Sequence, residues 1–366
     1  MSADRRFMRR VLRLAGRGSG CVSPNPLVGA VLVKDGVVVA EGWHHTLGGD
    51  HAEIDALKKA GDAARGADLY VNLEPCCHFG RTPPCTRALI AAGIRRVVVA
   101  HIDPNPLVAG QGVAALRAAG VEVEVGVLEA EARDLNAAFL TWITTGRPYV
   151  ILKMAMTLDG RTADREGYSR WVSSDTSRRE VHRMRARADA VMVGAGTALR
   201  DDPLLLPVLV RPRRRPIRVV VDGAAALSPT SRLATTTSQS PVLIAATDAA
   251  DEAQVTALRG LGVEVVRLPA IDGRVDPEAL LAELGRRQVG CVLVEGGPTL
   301  AASLLTRGLV DRIVLFVAPR LLGDPAALPL VGDLGIRDLP NAQPWAVQSL
   351  RRCGPDVRID LVPPRP

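Results

Sequence analysis

One histidine and two distant cysteines restrict the folds that this chain can adopt. His51 is followed two residues later by Glu53, and Cys76 and Cys85 lie further along, in a segment rich in proline. Imidazole and thiolate are among the protein ligands that zinc prefers, and a catalytic zinc typically has three such ligands and one open position. His51, Cys76 and Cys85 can fill the three positions, which requires a fold that brings them together.

Two helices are predicted to begin beside these ligands. Residues 52–60 follow His51, residues 85–92 follow Pro84, and a glycine ends each segment. A helix dipole favours anions at the helix N-terminus and lowers the pKa of a thiol there. The predicted ligands therefore lie where thiolate ligation is favoured.

Glu53 gives the predicted metal site a chemical role. Zinc lowers the pKa of a bound water from about 15.7 to roughly 7, and a glutamate that is not a ligand can pass the proton to a departing amine. These are the parts of a zinc-dependent deaminase of nucleobase-like rings. A structural zinc would need a fourth ligand, from Cys77 or His78, and would leave Glu53 without a role. A catalytic zinc is therefore the interpretation that we favour.

Strand-like and helix-like segments alternate along the chain, which predicts an α/β fold with helices on both faces of a sheet. The basic amphipathic segment 5–14 could be an organelle presequence, but it leads directly into the next motif and is interpreted as the first helix. The predicted strands of the first half are 27–33, 37–41, 69–73, 95–100 and 121–125, and its later helices are 111–119 and 129–141.

A linker is predicted at residues 144–148, which divides the chain into domains 1–146 and 147–366. The strand–helix alternation resumes after this linker. The predicted strands of the second half are 149–156, 190–193, 217–222, 242–246, 263–268, 289–295 and 312–318, with a helix at 174–187.

Composition and charge narrow the choice of partners. With 366 residues, 47% of them hydrophobic, the chain is long enough for two domains with separate cores. A net charge of +7 could indicate a nucleic-acid partner, but only 3% of the residues are aromatic and could stack on bases. No apolar run approaches the roughly 18 residues of a membrane span. We expect a phosphorylated small-molecule substrate, no nucleic acid and no membrane, in a cytoplasmic protein whose cysteines form no disulfide framework.

Two glycine-containing turns of the second half could approach a phosphate. Gly194-x-Gly196 follows a predicted strand, but Leu199 replaces the third glycine of the dinucleotide-binding pattern, so the signal is weak. Residues 294–299 join a strand to a helix, where unpaired N–H groups can bind phosphate. A tight turn without a ligand is an equally good interpretation from these residues alone.

Residues 75–85 match a family pattern at every position. The pattern is Pro-Cys-(Cys or Ser)-His-x-Gly-(Arg or Lys)-Thr-Pro-Pro-Cys, and the chain here resembles the deaminase of riboflavin biosynthesis. The motifs Ser23-Pro24-Asn25-Pro26 and Asp103-Pro104-Asn105-Pro106 are also similar to that family. The resemblance extends to the bifunctional family in which a deaminase domain precedes a reductase domain. It implies a cytidine-deaminase-like three-layer α/β/α domain followed by a dihydrofolate-reductase-like α/β domain that uses NADPH.

The same resemblance implies site residues. Deaminase substrate contacts would be Asn25, His44, His78 and Arg81, with Arg81 suited to a phosphate. The cofactor site would be lined by Ala155, Trp171, Thr197, Asp201, Gly223, Gly297, Pro298, Thr299, Leu300, Ala301, Ala302 and Ser303. The reductase substrate would contact Lys153, Ser169, Arg185, Leu205 and Glu295.

Arg185 illustrates how much the resemblance adds. A guanidinium binds phosphate with two parallel hydrogen bonds, which suits a ribosyl phosphate. Considered without the resemblance, an arginine within a helix is more often a solvated surface residue.

One departure from the family pattern concerns the substrate phosphate. The family usually continues Asp-Pro-x-Leu with Thr-x-Arg, and this arginine helps to hold the phosphate. Here Leu206 and Val208 occupy the two positions, and Arg211 could substitute from a few residues further on. Without such compensation, the reductase domain would be impaired or would have a different substrate.

The predicted function is therefore bifunctional. Zinc-dependent hydrolytic deamination of a diaminopyrimidine ribosyl phosphate would be followed by NADPH-dependent reduction of the ribosyl group to a ribityl chain, in a homo-oligomer. Three alternatives remain: a deaminase with an altered reductase domain, a deaminase of tRNA or single strands, and a zinc-stabilised binding module without catalysis.

Overall fold

The structure is a computed structural model that describes residues 2–79 and 83–364. The chain divides into two units, Met1–Gly146 and Arg147–Pro366. Each unit is a sheet with helices packed against it, so the predicted α/β class is confirmed. None of the helices in the described part of the chain is both long enough and apolar enough to cross a membrane.

The first unit contains a five-stranded sheet with the order β2-β1-β3-β4-β5. Its strands are β1 (Gly29–Lys34), β2 (Val37–Trp43), β3 (Asp68–Val71), β4 (Arg96–Val99) and β5 (Glu122–Val125). Its helices are α1 (Ala3–Ala15), α2 (Ala52–Ala60), α3 (Cys85–Ala91), α4 (Gln111–Ala118), α5 (Glu129–Leu135) and α6 (Ala137–Thr145). β1 is antiparallel to β2 and β3, whereas β3, β4 and β5 are parallel.

Helices cover both faces of this sheet because its strands alternate apolar side chains between the faces. Val97 and Val99 of β4 pack in a core with α2, α3 and α4. Val98, between them, packs in a second core with α1. The segment predicted as the first helix is therefore α1, and its buried residues are Phe7, Met8, Val11, Leu14 and Ala15.

Two expectations about the end of this unit are wrong. The predicted helix 129–141 is two helices, α5 and α6, which separate at Asn136. The side chain of Asn136 accepts a hydrogen bond from the Leu27 amide at 2.8 Å and donates one to the Leu27 carbonyl at 3.0 Å. α6 also continues into the predicted linker as far as Thr145, and Gly146 ends it with a φ of 73°.

The second unit contains a nine-stranded sheet with the order β11-β10-β9-β8-β14-β6-β15-β18-β17, and four short strands form two further pairs. Its strands are β6 (Tyr149–Thr157), β7 (Arg161–Ala163), β8 (Ala190–Gly194), β9 (Ile217–Val221), β10 (Val242–Ala246), β11 (Glu264–Arg267), β12 (Ala270–Ile271), β13 (Arg274–Val275), β14 (Cys291–Val294), β15 (Arg312–Ala318), β16 (Leu328–Pro329), β17 (Ala346–Cys353) and β18 (Asp356–Val362). Its helices are α7 (Asp175–Arg187), α8 (Ala195–Asp201), α9 (Arg232–Thr235), α10 (Glu252–Gly260), α11 (Pro277–Arg286) and α12 (Pro298–Leu305).

The parallel strands of this sheet determine where the predicted ligand-binding residues of the second unit lie. All neighbouring strands from β11 to β15 in the sheet order are parallel. Val294 of β14 is in register with Leu152 of β6 on one side and with Met192 of β8 on the other. The residues that follow these three, including Lys153 and Glu295, therefore lie at the carboxyl edge, where open α/β sheets bind ligands.

The β17–β18 hairpin at one edge of the sheet was not predicted. β17 is an edge strand, and all of its residues except Cys353 are exposed. A strand with both faces in solvent has no alternation of apolar and polar residues, so the pattern that identifies strands is absent.

Candidate functional site

The structure brings the three predicted zinc ligands together. His51 is the residue before α2, Cys76 follows β3, and Cys85 is the first residue of α3. The Nδ1 atom of His51 lies 3.2 Å from the sulfur of Cys85 and 3.6 Å from that of Cys76. All three ligand atoms lie within 4.8 Å of one another. This set of one imidazole and two thiols matches the chemistry of a catalytic zinc site.

The electrostatics of the two thiols also fits a cation. A hydrogen bond from the Cys85 thiol lowers the pKa of Cys76 to about 4, and the same bond raises the pKa of Cys85. The backbone amide of Cys85, at the start of α3, donates to the Cys76 sulfur at 3.4 Å. The two cysteines therefore share one negative charge, on Cys76. A metal ion bound between them would favour loss of the Cys85 proton as well.

Glu53 lies beside this cluster without being part of it. Its side chain is in the first turn of α2 and only 4% exposed. Burial raises the pKa of Glu53 to about 6, and a contact with Cys85 partly opposes that shift. A carboxyl group with a pKa close to neutral can both take and release a proton at physiological pH. α2 can approach β2 closely because Gly42 has no side chain. A Cβ atom at this position would lie only 2.2 Å from the Ala52 carbonyl oxygen.

Two of the predicted substrate contacts, half-buried Asn25 and buried His44, form a pair next to the metal ligands. The side-chain amide of Asn25 lies 3.1 Å from Nε2 of His44, and Nδ1 of His44 lies 2.9 Å from the Asp50 carbonyl. Since that carbonyl can only accept, Nδ1 carries the proton and Nε2 accepts from Asn25. The His44 ring meets the His51 ring edge-on at 5.6 Å. Burial lowers the pKa of His44, which favours the neutral imidazole.

The remaining predicted contacts of the deaminase site are His78 and Arg81. Nδ1 of His78 is buried and has no hydrogen-bond partner within residues 2–79 and 83–364. Nearby Asp103 has its pKa raised to about 6 by burial, and His78 partly opposes this shift. Arg81 lies outside the described residues.

Glu74 is a supporting residue that sequence reasoning missed. It is 3% exposed and immediately precedes the Pro75-Cys76 pair. Its Oε2 accepts hydrogen bonds from the amides of Asp103 and Gly110, and its Oε1 accepts one from the amide of Val113. This carboxylate therefore ties the Cys76 loop to the start of α4. Only its position before a metal ligand could have drawn attention to it.

The second unit has a cavity of about 1180 Å³ at the carboxyl edge of its sheet. Most small-molecule sites measure roughly 300–1,000 Å³, so this cavity is large enough for a bulky ligand. The predicted residues that line it are Lys153, Ala155, Ser169, Trp171, Arg185, Thr197, Asp201, Leu205, Gly223, Glu295, Gly297, Pro298, Thr299, Leu300 and Ser303.

Ala301 and Ala302, also expected at the cofactor site, do not line this cavity. Both are buried residues of α12, and Ala301 belongs to the core between that helix and the sheet. Because a helix turns by 100° per residue, only part of the segment 297–303 can face one ligand.

Two glycines on the cavity wall have open space beside them. A Cβ atom on Gly196 would meet no atom within 4 Å, and one on Gly297 would lie 3.7 Å from the hydroxyl of Thr197. Protein packing therefore does not require glycine at these two positions, and the space beside them is available to a ligand. At Gly296 a Cβ would lie 2.7 Å from a methyl group of Leu300, so a larger residue there would have to displace that side chain.

Arg185 is neither solvated nor free for a phosphate. Its side chain is 16% exposed and forms a bidentate ion pair with Glu295, at 2.6 Å and 2.9 Å. Its third nitrogen donates to the Leu206 carbonyl at 3.3 Å. A phosphate at Arg185 would have to compete with the Glu295 carboxylate. The interpretation of Arg185 as a surface residue is wrong.

Lys153 and His182 complete this polar cluster. Burial lowers the pKa of Lys153, and the nearby Glu295 carboxylate opposes that shift. His182, on α7, lines the same cavity. Burial lowers the pKa of His182 to about 4, and the positive charge of Arg185 contributes to the shift. Sequence reasoning missed His182, because its only local signal is a spacing of three residues from Arg185.

The wall near Leu206 departs from the family pattern. Leu206 and Val208 both line the cavity, whereas Arg211 is exposed and does not reach it. The suggested replacement of the missing arginine by Arg211 is therefore not supported. Cationic side chains that do line the cavity are Lys153, Arg170, Arg178, Arg185, Arg200, Arg232 and Arg274.

Comparisons with known proteins find relatives of both units. The family described as the cytidine and deoxycytidylate deaminase zinc-binding region matches residues 1–101, and the RibD C-terminal domain matches residues 148–359. Riboflavin biosynthesis protein RibD of Aquifex aeolicus is 43% identical to this chain over 97% of each protein. The Escherichia coli protein of that name is 40% identical over 98% of this chain and 99% of its own.

A solved structure from Thermotoga maritima, described as a diaminohydroxyphosphoribosylaminopyrimidine deaminase and 5-amino-6-(5-phosphoribosylamino)uracil reductase, is also similar. It has a TM-score of 0.86 and 37% identity, over 99% of each chain. Fold and sites together define a bifunctional enzyme, with a zinc-dependent deaminase followed by an NADPH-dependent reductase. The chain belongs to the RibD family of riboflavin biosynthesis.

Proposed function

We propose that the first unit deaminates a diaminopyrimidine ribosyl phosphate and that the second reduces the ribosyl group of the product to a ribityl chain. The observation that carries the proposal is the convergence of His51, Cys76 and Cys85 beside the buried carboxyl group of Glu53. The substrates named for the Thermotoga maritima structure have the same chemistry. The domain limits that we propose are 1–146 and 147–366.

In the first unit, His51, Cys76 and Cys85 would hold the zinc. Zinc, when bound, supplies a water of lowered pKa. Glu53 would take the proton at its carboxylate and later donate it to the departing amine, a role that its pKa of about 6 supports. The hydrogen-bonded pair of Asn25 and His44 would orient the pyrimidine ring.

The first test is the Glu53→Gln variant with the diaminopyrimidine ribosyl phosphate as substrate. Loss of a positioned acid–base group costs roughly 10²–10⁴-fold in rate, whereas metal analysis should still find one zinc per chain. The matched control is Glu131→Gln, an exposed glutamate of the same unit, which should release ammonia at the parental rate. Turnover by Glu53→Gln, or loss of its zinc, would contradict the assigned role.

In the second unit, Thr197, Gly297 and their neighbours would hold NADPH, which supplies a hydride when bound. Glu295 is fixed by Arg185 and carries a negative charge beside Lys153. We assign to Lys153 the polarisation of a ribosyl oxygen and to Glu295 the placement of the lysine. Lys153→Met should lower the reductase kcat by roughly tenfold or more, while deamination by the same protein stays unchanged as an internal control.

The position of the substrate phosphate needs its own test, since Leu206 and Val208 replace the expected polar residues. We propose that other arginines of the cavity wall bind it. NADPH oxidation with the deaminated ribosylamino-uracil phosphate should therefore be rapid. Ammonia release from the diamino precursor without NADPH oxidation would instead indicate a deaminase whose second unit has another substrate.

We also propose a homo-oligomer that forms through the edge strand β17. Val347 and Leu350 of this strand are 63% and 66% exposed, and one backbone edge of the strand has no neighbouring strand in the described sheet. Such edges readily pair with a second copy. Light scattering should show an oligomer that the double variant Val347→Lys, Leu350→Lys dissociates. A monomeric parent protein would refute this proposal.

A further inference from the structure

One buried nitrogen atom of the reductase cavity has no hydrogen-bond partner among the residues that the structure describes. His182 lies on α7, close to Arg185, and its ring lines the cavity. Its Nδ1 atom is buried and has no partner among the side chains and backbone groups of the described chain. A buried polar atom without a partner costs about 1–3 kcal/mol, and native proteins contain few of them. A ligand in the cavity can supply the missing partner.

The neighbours of His182 are already engaged with each other. Both oxygens of Glu295 bind Arg185, and the remaining nitrogen of Arg185 binds the Leu206 carbonyl. The adjacent wall contributes the apolar side chains of Leu206 and Val208. The Leu206 backbone also lies within reach of the His182 imidazole. Nδ1 is therefore the ring atom of His182 that keeps unused hydrogen-bonding capacity in the described part of the chain.

The imidazole of His182 is uncharged at neutral pH. Burial and the Arg185 charge lower its pKa to about 4, although the Glu295 carboxylate and the Leu206 backbone oppose them. A neutral imidazole has one donor and one acceptor nitrogen, which suits the amide-like edge of a pyrimidine. A phosphate would instead favour the protonated ring and would be better matched by an arginine.

We infer that His182 binds the reductase substrate, with Nδ1 in a hydrogen bond to a neutral polar group of the pyrimidine ring. This contact fixes the orientation of the ring, and with it the ribosyl carbon that faces the cofactor. The inference rests on the proposed function of the second unit.

The test compares His182→Leu and His182→Gln in the full-length enzyme, by NADPH oxidation. His182→Leu should raise KM for the ribosylamino-uracil phosphate about 3- to 10-fold, which is the value of one neutral hydrogen bond, and KM for NADPH should not change. His182→Gln should restore part of the loss. Arg179→Gln, an exposed position on the same helix, is the matched control.

Thermal stability separates binding from a structural role. Replacing an unpaired buried nitrogen by carbon should leave the melting temperature of His182→Leu unchanged or higher. A purely structural histidine would give a lower melting temperature and an unchanged KM. That result, in an enzyme that still oxidises NADPH, would overturn the inference and leave the proposed function intact.

The dephosphorylated substrate identifies the contacted group. If His182 binds the ring, His182→Leu should weaken the binding of the phosphorylated and the dephosphorylated substrate by the same factor. If the effect disappears without the phosphate, His182 binds the phosphate and the inference is wrong. Should the parent enzyme not oxidise NADPH, the proposed reduction fails, and calorimetric titration with the same two compounds still tests the contact.

Discussion

The three backbone amides bound by Glu74 allow a quantitative prediction. In Glu74→Gln, one carboxylate oxygen becomes an NH₂ group of the same size, so no cavity forms. If this NH₂ faces Val113, one hydrogen bond is lost; if it faces Asp103 and Gly110, two are lost. At least one buried N–H group is left opposite another donor in either orientation.

The expected cost follows from these bonds. A hydrogen bond to a charged group contributes about 1.5–3 kcal/mol, and an unsatisfied buried donor costs about 1–3 kcal/mol. We therefore expect Glu74→Gln to lower the free energy of unfolding of the first unit by roughly 3 kcal/mol. For a unit of this size the melting temperature should fall by roughly 6–12 °C.

Calorimetry and hydrogen exchange of the full-length protein provide the assay. The transition of the first unit should move to lower temperature, while that of the second unit serves as an internal reference. Peptides spanning residues 103–113 should lose protection from exchange. Glu131→Gln, an exposed glutamate of the same unit, should change neither signal. A shift below about 1 °C, with protection retained, would refute the account of Glu74.

Three further predictions concern other buried groups and the metal. Removing zinc with a chelator should lower the melting temperature of the first unit only, and added zinc should restore it, because binding stabilises the folded state. Asn72→Ala should destabilise the first unit by about 2–3 kcal/mol in urea titration, since buried Asn72 binds the Gly29 amide and the Leu27 carbonyl. Arg218→Lys should lower the free energy of unfolding of the second unit by roughly 2 kcal/mol in the same titration. The reason is that the fully buried Arg218 guanidinium binds the carbonyls of Thr236 and Ser240.

Local patterns were sufficient to predict the alternation of strands and helices and the zinc ligands. His51 and Cys85 each stand at the start of a helix whose sequence is typical of one, and Cys76 follows a strongly apolar strand. The packing of these elements on one sheet then brings the three side chains together. The family resemblance added the second site, most of whose expected residues do line one cavity.

Features that depend on contacts between distant residues were missed. Asn136 interrupts a helix because its side chain binds the backbone of Leu27, and no nearby residue indicates this. Glu74 binds amides of a distant segment, and His182 draws attention only because the fold places it on the wall of the cavity. The phosphate role expected for Arg185 could not take into account Glu295, which follows β14 and forms an ion pair with the guanidinium.

The late position of β14 and β15 in the sequence affects how the second unit folds during translation. β6 is central in the second unit, yet both of its neighbours, β14 and β15, begin only at residues 291 and 312. All strands and helices of the first unit precede residue 146, so this unit can fold while the ribosome is still translating the second. The apolar strand β6 must then wait, unpaired, for most of the remaining translation. Slow long-range pairing of this kind exposes a chain to aggregation, so the yield of the reductase unit should depend on chaperones more than that of the deaminase unit.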